Sequence, residues 1–194
     1  MFDIRNKINS LNNFLIDLDY KIVIVFMVIG FSIYFSTFFF VFVPSEAILY
    51  QHGNSIFDFQ MSWFNQNTEN ILQNWSGILD VAIYQVFMDF FFIIGGTIFL
   101  GSTYILLIKL TSFQRFRSVL LFGFWFVDIG ALSDVIENLF SLLILLNPLN
   151  YSKLFEFFLT LFSILKFLIL PVEYGILILS ILLIIGEKLL TRQK

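Results

Sequence analysis

The chain of 194 residues is 59% hydrophobic and 13% charged, with a mean hydropathy of +0.90, whereas soluble domains average about 45–50% apolar and about 25% charged. This composition excludes a soluble globular fold, and the length suits several membrane spans with short connections in one membrane domain, residues 1–194. The absence of cysteine excludes disulfides, thiolate metal centres and S-palmitoylation, and the formal net charge of −3 hides basic residues segregated by segment.

Residues 1–21 are too polar for a signal peptide. Ile4, Ile8, Leu11, Leu15 and Leu18 recur at spacings of four and three between polar residues. This pattern predicts an amphipathic helix, lying on the cytoplasmic membrane face or packed on the protein's own short loops. The apolar run 22–43 predicts the first span, since about 33 Å of helix matches a hydrocarbon core of ~30 Å. Lys21 marks its start and Pro44 its end, and Ser32 with Ser36 offers a small-residue packing face.

Residues 45–77 carry no Lys or Arg, which places them outside by the positive-inside rule. Their aromatic residues, interleaved with Asn, Gln and Ser, suit an amphipathic segment in the headgroup region, with Asn67 or Thr68 capping a short helix. His52, the sole histidine, reads as a solvated loop residue rather than a metal ligand.

The second span, 78–108, carries Asp89 and a small-residue stretch in which Thr97 and Gly101 are placed for close helix packing. The connection from Lys109 to Arg117 is basic, without acids, and hence cytoplasmic. The third span, 119–146, contains Asp128, Asp134, Glu137 and Asn138. Each central carboxylate costs about 2.5–3.5 kcal/mol on an insertion scale, while each Leu, Ile, Phe or Val returns only about 0.3–0.6. Such a helix needs neighbours that supply polar partners.

Asn147-Pro148 breaks the chain, and the fourth span, 154–185, contains Lys166, a kinking Pro171, and Glu173. Of the eleven basic residues, three lie in the N-terminal segment, three in the middle connection and three in the tail. The remaining two are Lys153, in the outer turn, and the intramembrane Lys166. The fold class expected is all-α: a polytopic integral membrane protein, an antiparallel four-transmembrane-helix bundle with N-terminal and outer-loop amphipathic segments and both termini cytoplasmic.

Tyr84 with Asp89-Phe90, the D-x-x-E-N run Asp134-Val-Ile-Glu137-Asn138, Asn147-Pro148 and Lys166 lie within residues 60–170. This pattern resembles a scattered, uncharacterised family of small four-span prokaryotic membrane proteins. The resemblance implies the fold, the topology and a prokaryotic cell (inner) membrane; it implies no activity.

At 100° per residue, Asp134 and Asn138 lie about 40° apart on the third span, on a face shared with Gly123, Val127, Gly130 and Ser141. Asp128 and Glu137 fall at opposite edges of that face. By depth, Asp134 and Lys166 lie near the bilayer centre, Asp89 and Glu137 further out, and Asp128 and Glu173 toward the cytoplasm. Five intramembrane acids thus share one base. Lys166 is expected to bond Asp134, Glu137 or Asn138, and Asp128 to pair with Glu173 by sharing a proton or holding a cation.

Three functions fit this polar seam. It is a hydrogen-bonded glue in a structural or accessory subunit of a homo-oligomer or larger membrane complex; a site that binds or passes a proton, cation or small amphiphile; or the paired carboxyls of a lipid-modifying enzyme. The ligand or ion-binding candidates are Asp89, Asp128, Asp134, Glu137, Asn138, Lys166 and Glu173. With no histidine in the spans, no metal and no cofactor are expected; membrane lipids are partners and nucleic acid is not. A glue leaves every carboxyl paired without a cavity, whereas a binding site exposes acids to one.

Overall fold

A computed structural model describes residues 13–65, 67–111 and 113–191, and these are 88% helical without a strand. Helix α1 spans Tyr20–Gln51, with a π-helical turn at Phe38–Phe42. Three short helices follow: α2 (Ile56–Gln60), α3 (Ser62–Asn65) and α4 (Thr68–Asn74). Helices α5 (Leu79–Leu110), α6 (Gln114–Leu145) and α7 (Lys153–Thr191) complete the fold. The stretches Tyr20–Gln51, Leu79–Leu110, Phe116–Leu145 and Lys153–Gly186 are long and apolar enough to cross a membrane. This is the expected all-α bundle of four candidate spans.

The first span overruns its expected end. Asp19 caps α1 by accepting the Lys21 N–H at 2.7 Å, but Pro44 does not stop the helix, which continues to Gln51. The reason lies one turn earlier, where the Val43 N–H reaches back to the Phe38 carbonyl across the π turn. A widened turn there accommodates the proline ring, which would otherwise meet the carbonyl four residues before it. Pro171 likewise lies inside α7 without ending it.

Helix α5 is the hub. In its most apolar stretch 56% of residues are buried within the protein, against 17–22% in the other three. Helix α1 packs along α5, α5 against α6 and α6 against α7, while α7 meets α5 only lightly. Consecutive spans run antiparallel, as the pairings Gly30 with Phe99 and Phe42 with Phe92 in α1 and α5 show.

The α1–α5 crossing rests on glycine rather than on the expected Ser32/Ser36 face, which is exposed. A Cβ on Gly95 would sit 2.6 Å from the Tyr34 backbone nitrogen, and one on Gly30 would collide with the Phe99 nitrogen. With hydrogen in place of both methyl groups the two backbones touch. Of the predicted Thr97/Gly101 pair, Gly101 takes the edge of Phe124 of α6, and Thr97 bonds its own helix at the Ile93 carbonyl, 2.8 Å away.

The segment after α1 is amphipathic, with Phe57, Trp63 and Phe64 exposed, and its other large side chains dock on the bundle. Phe59, Ile71, Leu72 and Trp75 are buried in one core with Leu49, Val86, Ile144 and Leu159, and the Phe59 and Trp75 rings meet at 5.6 Å. The short helices therefore form a cap on this end of the bundle, here called the loop end. Ser55 opens the cap with a capping box, accepting from the Asp58 N–H while the Asp58 carboxylate accepts from the Ser55 N–H. Helix α4 begins after Asn67 as predicted, although the Asn67 side chain bonds Asn70 rather than a backbone N–H.

At the opposite, terminal end, the Lys109 ammonium donates to the Ile16 carbonyl, so the helical residues 13–17 end on the protein itself. The rest of the predicted N-terminal amphipathic helix and the basic residues of the extreme tail lie outside the described residues.

Candidate functional site

Two arrangements divide the polar seam. Toward the loop end it is a closed network. Lys166 of α7 places its ammonium 2.8 Å from Asp134 Oδ1 and 2.9 Å from Glu137 Oε2 of α6. Asp134 and Glu137 are three residues apart, so both reach the same neighbouring helix. From the inward face that it shares with Asp134, Asn138 turns toward α5 and donates to Asp89 Oδ2 at 3.0 Å. Glu137 is fully buried and also accepts from the amide of Gln60, at the end of α2. The Gln60 carbonyl in turn accepts from Thr160 Oγ1 of α7 at 2.7 Å. A second loop-end contact joins Glu46 of α1 to Gln85 of α5 at 3.1 Å and to the Ile56 N–H.

Sequence reasoning put Gln60 and Glu46 in an outer loop and missed both contacts. The one available signal was the Ser55/Asp58 capping box, which marks the start of the short helix that carries Gln60. Nothing in the sequence says where that helix docks.

Toward the middle of the bundle the seam opens into a cavity of about 80 Å³ lined from all four spans. Its polar lining comes from Tyr34, Thr97, Asp134, Lys166, Glu173 and Tyr174. Glu173 is buried and faces it over Gly130, where a Cβ would come 3.6 Å from Glu173 Oε2. Among the described residues no hydrogen bond or ion pair engages the Glu173 carboxylate. Its backbone carbonyl accepts from Tyr104 of α5 at 2.7 Å, which fixes α7 at this level. Across the cavity the Tyr34 and Tyr174 hydroxyls meet at 3.3 Å, and the Tyr34 ring stacks on Phe92 at 4.1 Å between centroids.

The expected pairing of Asp128 with Glu173 is not formed. Asp128 is partly exposed and does not line the cavity, and among the described residues nothing bonds its carboxylate. The physical reason is helical phase: Gly130, two residues on and about 200° around the helix, is what meets Glu173.

At the loop end, where α7 begins, Lys153 bridges Glu69 and Glu156, each at 3.0 Å. Burial beside this cluster pushes the Tyr151 phenol up to about 12. Among the described residues no three His, Cys, Asp or Glu side chains gather as a metal site.

No family model, curated protein or solved structure matches this chain. The candidate site therefore stands on its own geometry.

Proposed function

We propose that the chain is a membrane protein that binds a proton or a cationic ligand in its central cavity, with Glu173 as the charged residue and the Asp89–Asn138 and Asp134–Lys166–Glu137–Gln60 contacts as structural glue. The observation that carries this reading is the Glu173 carboxylate, buried in the bundle, facing a cavity and, among the described residues, bonded to nothing. A purely structural seam would leave each carboxylate paired, because a polar group buried without a partner destabilises the fold. The position supports the same reading, since substrate and ion sites of membrane transporters lie near the bilayer midplane.

The distribution of Lys and Arg supports an orientation with the terminal end in the cytoplasm and the loop end outside. The resemblance to small four-span prokaryotic proteins supports a prokaryotic cell membrane as its location. Surrounding lipids are its partners, and a second copy or a larger membrane complex is compatible with its apolar flanks.

Infrared difference spectra of the full chain in lipid, recorded while pH is varied, test the assignment. A carboxyl band that titrates in the wild type and is lost in Glu173→Gln is expected. A spectrum unchanged by that substitution overturns it.

A further inference from the structure

We propose that the central cavity receives the amine head of a membrane-borne amphiphile, which reaches it sideways from the bilayer between α1 and α7; this rests on the reading of the cavity as a binding site. The first observation is depth. Tyr34, Gly96, Ala131 and Ile169 all line the cavity, and each lies within two residues of the midpoint of its span, or about 3 Å along a helix. A cavity at that height is far from either end of the bundle. The cap also closes the loop end, where Glu137 is fully buried under Gln60.

The second observation is where the wall is thin. Helices α1 and α7 are not closely packed, and across the cavity the Tyr34 and Tyr174 hydroxyls bring them together at 3.3 Å. Leu170 of α7 lines the cavity yet is 43% exposed, so its outer side belongs to the lipid-facing surface. Access at the midplane is therefore access from hydrocarbon, which selects a ligand that partitions there.

Charge and size define the head. Lys166 is taken by Asp134 and Glu137, so the charge left to attract a ligand is the negative one on Glu173. A metal ion would need several oxygen ligands, and among the described residues no cluster of three suitable side chains exists. An ammonium needs one carboxylate and gains from nearby aromatic rings, and Tyr34, Phe92 and Tyr174 line the cavity beside Glu173. At about 80 Å³ the cavity is well below the roughly 300–1,000 Å³ of pockets that enclose a whole ligand, so the ammonium head lies inside and the rest of the chain runs past Leu170 into the bilayer.

Equilibrium binding of radiolabelled dodecylamine to the full chain in phosphatidylcholine nanodiscs, with empty nanodiscs as the baseline, tests this. Saturable binding above the baseline is expected, competed at least about tenfold less well by dodecanol, which lacks the charge, and by methylammonium, which lacks the tail. Glu173→Gln should abolish it. Leu170→Trp, at a half-exposed position that leaves the polar network untouched, should weaken it about tenfold while the protein stays folded. Equal competition by dodecanol overturns the charge assignment, and equal competition by methylammonium overturns access from the bilayer. No binding above empty nanodiscs overturns the proposal entirely, while a Glu173 carboxyl band that still titrates would leave the proton-binding reading standing.

Discussion

Lys166 shows how much a single side chain can commit in an apolar bundle. Its ammonium touches Asp134 and Glu137, so removing it leaves two carboxylates in the interior without a counter-charge. Breaking a buried pair from one side costs about 3–5 kcal/mol, whereas replacing all partners together can be nearly neutral. Lys166→Met alone should therefore destabilise the protein by about that amount. Most of the loss should return when Asp134→Asn and Glu137→Gln are added. Unfolding of the single and triple variants in the same lipid mixture measures both; losses that simply add would show that the three side chains do not act as a unit. Part of this was legible beforehand, because Lys166 is the only base at the depth of the acids. The Gln60 contact was not, since helical phase and depth place residues of a span but not residues of a loop.

Among the elements, the α1–α5 contact is the one most sensitive to volume. Gly30→Ala or Gly95→Ala would press a methyl group into the facing backbone, and overpacking of this kind typically costs about 1–3 kcal/mol. Gly175 provides the control: nothing lies within 4 Å of its Cβ position. There the substitution should be neutral or stabilising by about 0.5–1 kcal/mol, through helix propensity alone. Thermal unfolding of the three variants checks the order, and equal effects at Gly95 and Gly175 would contradict the close crossing. The glycines of α5 are visible in the sequence as packing residues, while in α1 the small-residue face that the sequence offers is Ser32/Ser36. Both faces of α1 carry a small residue at the required depth, and which one turns inward follows from the rotation of α1 about its axis, set by every contact along α5.

For the whole molecule, the proposed orientation can be tested directly because the chain has no native cysteine. Single cysteines at Tyr50 and at Asn150, both exposed at the loop end, should react with a membrane-impermeant maleimide on intact cells. One at Lys188, toward the terminal end, should react only after the membrane is opened. The reverse pattern would invert the topology.

What the sequence by itself determined is the class of the molecule: four apolar helices, the break at Asn147-Pro148, and a set of polar residues within the spans that needed partners. Those features are one-dimensional, because hydrophobic length and a period of 3.6 residues act within a segment and carry the largest energies in a bilayer. The tertiary structure alone decided how the inward charges divided. Asp134 and Glu137 share Lys166, Asn138 goes to Asp89, Gln60 enters from the cap, and Glu173 is left facing a cavity over Gly130 while Asp128 stands apart. These outcomes depend on helix rotation, on crossings set by residues as small as Gly30 and Gly95, and on the docking of a loop. A rotation of a few tens of degrees changes every partner while leaving the hydrophobic pattern intact.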